Sequence, residues 1–475
     1  MNKLYLVFVL VILLFACQDE PLDNQKLPSD ADVDTLAIYF INDQHGQLNN
    51  FAKIKHLVDM ERDTNEHVLL VCAGDMFSGN PIVDQYDQKG FPMIDIMNKT
   101  GFDVSVLGNH EFDYGPQVLS ERMQQATFSW VCANVDMQAS GVPQPSPFKT
   151  LETGNLRVTF LGLVETFGKP DGVIPSTHPW RVMEMKFRRH TDITNEYIDL
   201  KSEEKADVFI ALTHLGTHAD LELPNALPEL DAVIGGHSHQ FVNETINETS
   251  VVQAGSYLSW LGRLQLLVAN GEVIDQSTSF YNLNEYTDYD ASLKTEIDGY
   301  NDAPQFDKVV GYANSYHDKA ALGCFYTTAL KDYLKVDLSF QNGGGIRSDI
   351  DEGDVTALDI YNMDPFNNNS VIFTMTVGQI NDFFAETGAG LHTSGLDIQQ
   401  DGQRIILYRN GQKLENQEVV TIGTNDYIPA VYDKHFPLEQ AEILEITTAE
   451  ALITYLESIN STMDYEGCSR YFRFN

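Results

Sequence analysis

The chain reads as an α/β protein of two domains, and three observations predict it. Five apolar runs of strand length, Leu36 to Ile41, Val68 to Cys72, Val104 to Leu107, Val208 to Leu212 and Ala232 to Ile234, each lead into a short polar patch. At 475 residues with 43% hydrophobic content, the chain is too long for one ordinary core and apolar enough for two. A polar, acidic stretch from Asn284 to Lys308, with Pro304 marking the boundary, reads as a linking helix and turn. The first domain is expected over residues 35–283, the linker over 284–308 and the second domain over 309–475. In the second, Val371 to Val377 reads as a strand and Glu450 to Ser458 as a helix.

The five patches carry metal-ligand side chains. They are Asp43-Gln44-His45, Gly74-Asp75, Gly108-Asn109-His110-Glu111, Thr213-His214 and Gly236-His237-Ser238-His239. Each ligand is expected just past the carboxyl end of its strand, the edge of an open α/β sheet where loops converge on one crevice. Residues i and i+2 of an extended segment share a face, which would aim Asp43 with His45, and His237 with His239, into that crevice. Asp-x-His, Gly-Asp or Thr-His alone is more often a satisfied core or turn residue than a ligand, whereas Gly-Asn-His-Glu and Gly-His-Ser-His weigh more because polar clusters directly after apolar strands need partners; five patches in order after five strands point to ligation.

Imidazole, carboxylate and one amide oxygen suit divalent Zn, Mn, Fe or Co, whereas an all-oxygen set would suggest Mg or Ca. Seven such groups are too many for one tetrahedral site and about enough for two ions sharing a carboxylate, for which Asp75 is the natural bridge. Two ions roughly 3.5–4 Å apart favour hydrolysis of a phosphoester, since they acidify a shared water and neutralise phosphoryl oxygens.

The second half carries Gln341-Asn342-Gly343-Gly344-Gly345-Ile346-Arg347 directly after the apolar run Leu338 to Phe340. The glycines permit close backbone approach and Arg347 offers a planar fork for phosphate or carboxylate, although a glycine triplet is commonly a plain turn. It is followed by Met363-Asp364-Pro365-Phe366-Asn367-Asn368 and by Gly423-Thr424-Asn425-Asp426-Tyr427.

With these motifs the chain resembles the metallophosphoesterase superfamily, and within it the bacterial 5′-nucleotidase/UDP-sugar hydrolase branch. The resemblance implies a four-layer α/β/β/α calcineurin-like sandwich followed by an α+β substrate-binding domain. It implies that one divalent ion takes Asp43, His45, Asp75 and His239 and a second takes Asp75, Asn109, His214 and His237. His110 then matches the catalytic histidine beside the transferring phosphoryl group, with Asp113 its orienting partner, while Glu111 is left to local hydrogen bonding. Asn342 and Arg347 would bind substrate, Phe366 and Tyr427 would stack on a base, and Asp433 would contact substrate. Two departures bear on recognition. Val431 and Tyr432 stand where the family has glycines, and an arginine expected before Leu322-Gly323 is absent, with His317, Asp318 and Lys319 nearby.

The activity so implied is removal of phosphate from nucleoside 5′-monophosphates by a metal-activated hydroxide. Relatives of this architecture also cleave 2′,3′-cyclic nucleotides, nucleotide sugars or a protein-linked sulfur oxyanion. A surface protein that binds metal or nucleotide without turnover is the alternative from another class, against which stands the His110 and Asp113 pair. A net charge of −39 repels nucleic acid and anionic membranes, so the expected partner is a small phosphoester and no polynucleotide. The charge says nothing of oligomeric state.

Lys3 and the apolar run Leu4 to Ala16, ending Leu14-Phe15-Ala16-Cys17, read as a lipoprotein signal with Cys17 acylated. The run is short of the about 20 residues needed to span a bilayer. Residues 18–34 would tether the protein to the outer membrane of a bacterial envelope, facing the periplasm or the outside, with no other membrane contact. Cys72 and Cys132 lie in apolar runs as small core residues, whereas Cys324 and Cys468 share a domain and are free to bridge in an oxidising compartment.

Overall fold

The computed structural model describes residues 33–474 apart from 403, 437–439, 460 and 461, so the signal, Cys17 and the tether as far as residue 32 lie outside it, while Asp34 opens the first strand. In the first half the alternation of apolar side chains builds two facing sheets. The elements that position the site are β1 (Asp34–Ile41), α1 (Phe51–Arg62), β2 (Val68–Cys72), α2 (Phe91–Thr100), β3 (Val104–Val106), α3 (Gly115–Gln125) and β4 (Ser129–Val131). There follow β5 (Phe148–Thr153), β6 (Leu156–Val164), β7 (Val208–His214), α4 (Thr217–Ala226), β8 (Ala232–Ile234), β9 (Phe241–Ile246), β10 (Thr249–Ala254), β11 (Trp260–Ala269), β12 (Glu272–Asn282) and α5 (Ala291–Asn301).

One sheet runs β12-β11-β1-β2-β3-β4 and the other β9-β10-β8-β7-β6-β5. In β1, Leu36, Ile38 and Phe40 point between the sheets and meet Val158, Phe160 and Ile210. Ala37, Tyr39 and Ile41 point the other way, into a core roofed by α1 and α2. Leu161, Leu163 and Phe209 do the same on the outer face of the second sheet, beneath α4. The result is the expected α/β/β/α order, with a dry layer between sheets buried on both faces.

Register brings the strand ends together. β1 and β2 are parallel with Ile41 opposite Cys72, β2 and β3 with Cys72 opposite Ser105, and β7 and β8 with Leu212 opposite Ile234. The polar patches therefore emerge on one rim. One expectation changes here: α5, read as a linker helix, buries Leu293 and Ile297 in the core of the first half. Apolar residues four apart give that short helix a packing face, so its burial outweighs the polar composition of the stretch.

The second half has its own sheet. α6 (Lys319–Leu334), β13 (Leu338–Asn342), β14 (Asn369–Thr376), α7 (Val377–Thr387), β15 (Gly390–Ser394), β16 (Val419–Asn425), β17 (Glu442–Thr447), α8 (Thr448–Ile459) and β18 (Tyr471–Arg473) are its main elements. The strand order is β17-β14-β16-β13-β15-β18. Phe340, Phe373, Phe383 and Phe384 fill one face with α7, and Leu322, Phe325, Leu330 and Leu452 fill the other with α6 and α8. Val377, read as the end of a strand, instead starts α7 behind a Thr376–Gln379 capping box. Cys324 and Cys468 form a disulfide across a separation of 144 residues, while Cys72 and Cys132 are free and buried.

Asp364 anchors the turn that carries Phe366. Its Oδ2 accepts from Tyr326 Oη at 3.1 Å and Thr448 Oγ1 at 2.5 Å, and its Oδ1 is buried without a partner among the described residues. Burial pushes its carboxyl up to about 6 in spite of those hydrogen bonds. Folding thus takes up a proton between the ordinary aspartate range and pH of about 6, and the stability this provides is lost as pH rises through that window. Asp364→Asn stays neutral, so its stability relative to wild type should rise by about 3 kcal/mol from about pH 4 to about pH 7.5, read by denaturant midpoints. Cys468→Ser should lower unfolding free energy by about 2–5 kcal/mol, and reductant should bring the wild type to the same value.

Candidate metal centre

On the rim, the backbone is bent to aim side chains inward. Asp43, His45, Asp75, His237 and His239 all have positive φ, at 51°, 46°, 58°, 79° and 55°. The sequence expectation of two extended i, i+2 pairs is therefore corrected: both pairs converge through left-handed turns, a conformation that non-glycine residues adopt at a cost. Hydrogen bonds hold those turns. Asp43 N–H donates to Gly74 O and His45 N–H to Asp75 O, each at 3.0 Å, which zips the loop after β1 to the loop after β2. A Cβ at Gly108 would overlap the Asp75 carboxylate, so only glycine lets the loop after β3 approach. His214 is not past its strand but is the last residue of β7.

The seven groups meet in one buried cluster. Asp43 Oδ1 lies 3.5 Å from His239 Nε2 and 3.9 Å from both His45 Nε2 and His214 Nε2. Asp75 Oδ2 lies 3.0 Å from His214 Nε2 and 3.9 Å from His45 Nε2. His237 Nδ1 is 2.9 Å from Asn109 Oδ1. Asp43, His45 and His239 form one group whose ligand atoms lie within 4.8 Å of one another, and Asp75, His214 and His237 form another.

The donor set fits divalent cations better than it fits itself. His45 Nε2 and His239 Nε2 face each other at 2.9 Å, where neutral rings share at most one proton, and the buried His214 Nε2 has the Asp75 carboxylate at 3.0 Å but no well-aligned hydrogen bond among the described residues. Burial holds the His45 imidazole well below its ordinary range and takes His237 and His239 down to about 3, the neutral form that ligates metal. Burial also opposes a proton on His214, yet Asp75 lifts this imidazole to about 10. A cation between the two would occupy that proton's place.

His110 stands beside the cluster, with Nε2 3.8 Å from Asp75 Oδ2 and Nδ1 2.6 Å from Asp113 Oδ2. Burial works against its proton, but Asp75 and Asp113 outweigh burial and raise the imidazole. Asp113 Oδ1 accepts from Thr177 Oγ1 at 2.7 Å. Glu111 does more than the local bonding expected of it. Its carboxylate accepts from the backbone N–H of Asp75 at 2.9 Å, of Met76 at 2.7 Å and of Gly108, so it shapes the loop that presents Asp75. That task joins two strand ends and was invisible in one sequence.

The second half closes over this centre. Arg347 NH2 lies 3.1 Å from His45 Nε2, and the Phe366 ring stacks on His110 with centroids 5.7 Å apart at 24°. Asn342 and Tyr427 line the same cavity of about 200 Å³, as do Ser176, Thr177, His178 and Arg181 of the first half, with the His178 and Tyr427 ring centroids 6.2 Å apart. These four residues carried no sequence signal. Asp433 stays outside the cavity and pairs with Lys169 Nζ at 2.7 Å. His317 is buried in second-half packing, with Nδ1 on Ser315 O and Nε2 accepting from Tyr465 N–H.

Clustered histidines and carboxylates on the joined rims of two facing sheets, beside a His–Asp pair, define a metal-dependent hydrolase. The sequence matches the calcineurin-like phosphoesterase family over residues 36–241 and the 5′-nucleotidase C-terminal domain over residues 302–437. The chain belongs to the metallophosphoesterases of this two-domain 5′-nucleotidase type, a hydrolase family that implies divalent metals. It is 27% identical to the trifunctional nucleotide phosphoesterase of Bacillus subtilis over 86% of its own length and 32% of that protein's, so it spans about a third of that relative. A 5′-nucleotidase of Vibrio cholerae is 25% identical over 70% of this chain and 72% of its own. The crystal structure of a 5′-nucleotidase precursor from Thermus thermophilus shares the fold, with a TM-score of 0.79 at 21% identity, covering 90% of this chain and 97% of that one.

Because Glu111 collects three backbone donors, Glu111→Gln would turn an amide N–H toward them. Chelator competition should show metal affinity lowered about 10- to 100-fold.

Proposed function

We propose that the chain is a nucleotide phosphohydrolase that releases phosphate from nucleoside 5′-monophosphates. The observation that carries this reading is the shared cavity: Arg347, Asn342, Phe366 and Tyr427 of one half face Asp75, Asn109, His110 and His237 of the other. Asp43, His45, Asp75 and His239 would hold one divalent ion, and Asp75, Asn109, His214 and His237 a second, with Zn, Mn, Co or Fe suited to the donors. Bound there, two such ions supply Lewis acidity to phosphoryl oxygens and an acidified water.

The chain's own residues do the rest. His110, fixed through Nδ1 by Asp113, presents Nε2 toward the phosphoryl group and donates to an oxygen on which charge builds. Arg347 offers its planar fork to the same anion from the other half. Phe366 and Tyr427 provide aromatic surface for the base, worth about 1–3 kcal/mol per stacked ring. Enclosure between the halves excludes water and strengthens each of these contacts.

A second reading within the class, hydrolysis of 2′,3′-cyclic nucleotides or nucleotide sugars, is favoured by one observation. Asp433, expected on substrate, is engaged by Lys169 outside the cavity. We place the catalytic unit at residues 35–283 with α5 packed onto it, and the substrate unit from about Val309 onward. Cys17 and residues 18–34 would anchor the protein by lipid to a bacterial envelope. No helix among the described residues is long and apolar enough to cross a membrane.

Phosphate release by the fragment from Gln18 onward, with Mn, Zn, Co or Mg added, tests the reading on AMP, UMP, 2′,3′-cyclic AMP, UDP-glucose and p-nitrophenyl phosphate. Metal-dependent, chelator-sensitive release from AMP or UMP is expected, with Asp75→Asn reduced to background. Silence on nucleotides beside turnover of p-nitrophenyl phosphate would move the substrate elsewhere, and full activity of Asp75→Asn would sink the ligand assignment.

A further inference from the structure

Among the described residues, the cavity is lined by two fixed cations, Arg347 from the second half and Arg181 from the first. The arginine that the resemblance leads one to expect near Leu322 has no replacement there. His317 is spent on backbone partners, Asp318 caps α6 by accepting from Ala321 N–H, and Lys319 does not line the cavity.

Arg181 sits on a short turn, Pro179–Val182, opened by a proline that presets its backbone. Its side chain is 22% exposed. NH1 lies 3.6 Å from Asp113 Oδ1, and NH2 donates to the Phe366 carbonyl across the boundary between halves at 3.3 Å. Both contacts are long. Asp113 is already met by His110 at 2.6 Å and Thr177 at 2.7 Å, so it does not consume the guanidinium, and a five-donor fork keeps donors for a ligand.

Position decides what that ligand part is. His110 turns Nε2 toward Asp75 and Nδ1 toward Asp113, and Arg181 lies beyond Asp113. In that chain of contacts His110 and Asp113 lie between Arg181 and Asp75, whereas Arg347 touches the cluster directly, its NH2 3.1 Å from His45 Nε2. Arg181 also holds the Phe366 backbone through its carbonyl, while Arg347 lies 5.9 Å over the Phe366 ring itself.

Resting on the nucleotidase reading above, we propose that Arg181 is a specificity-determining residue that binds the ribose hydroxyl oxygens of the leaving group, a nucleoside held on Phe366. The catalytic half thereby supplies the second cation that lines the cavity. Leaving groups without such oxygens gain nothing from it.

The test compares wild type, Arg181→Ala and Arg181→Lys on AMP and p-nitrophenyl phosphate, with calorimetric Kd for a non-hydrolysable phosphonate analogue of AMP. Losing a charged donor should cut kcat/KM on AMP by about 10- to 100-fold in Arg181→Ala, chiefly through KM, and raise Kd in step. The loss on p-nitrophenyl phosphate should be at least about tenfold smaller. Arg181→Lys, which keeps the charge and stem should the alanine variant fold poorly, should fall between. Equal losses on both substrates, carried by kcat with a moved pH profile, would assign Arg181 to Asp113 and overturn the proposal. Wild-type turnover of AMP matched by Arg181→Ala would overturn it while leaving the nucleotidase reading intact. A wild type silent on AMP overturns that reading and the proposal with it.

Discussion

A knot of buried polar side chains that the protein cannot satisfy by itself governs the rest of the structure. Asp43 and Asp75 are 0–2% exposed, and the imidazole nitrogens of His45 and His239 confront one another at 2.9 Å. Burying such groups costs several kcal/mol each unless charge is matched. Divalent cations, which the family implies, would offset that cost, and the backbone is bent to the same end. Five of the seven side chains sit on left-handed residues, held by hydrogen bonds from neighbouring loops and by the Glu111 carboxylate. Two rigid sheets meeting at one rim are what over-determine that geometry.

The second half holds no such cluster among its described residues. It has its own aromatic core and a disulfide closing most of its length. Around the cavity its ties to the first half are buried, as where Phe366 stacks on His110 and His178 meets Asp426 at 3.6 Å, and at the rim they are polar: Lys169 to Asp433 at 2.7 Å, Lys434 to Asp171 at 2.5 Å, and Gln85 to Asn367 at 2.5 Å. Exposed ion pairs are worth about 0–1 kcal/mol each, and water replaces them readily. An interface of this kind suits a cleft that admits a substrate and releases two products. Strength is concentrated in the two cores, and selectivity in what projects between them.

Much of this was legible in the sequence. β2 and β8 have the predicted limits, and β1 and β3 differ by one or two residues, because buried parallel strands are continuous apolar runs bounded by polar patches. The seven ligand-type residues were found because polar clusters directly after such runs need partners. Three features were read differently. Glycine-like φ at Asp43 and His45 leaves no mark on residue type, α5 looked like a linker because only Leu293 and Ile297 carry its packing, and Asp433, which the resemblance put on substrate, pairs with Lys169 outside the cavity.

By itself the sequence determined the sheet-forming runs, the order of ligand residues along them and the chemistry those residues share, since each depends on side-chain type and local period. Tertiary structure decided which of them touch. It put Glu111 beneath Asp75, Arg347 against His45, and Arg181 between Asp113 and Phe366. Those contacts join residues 36 to 302 positions apart, where no local pattern constrains distance and only the register of packed sheets does.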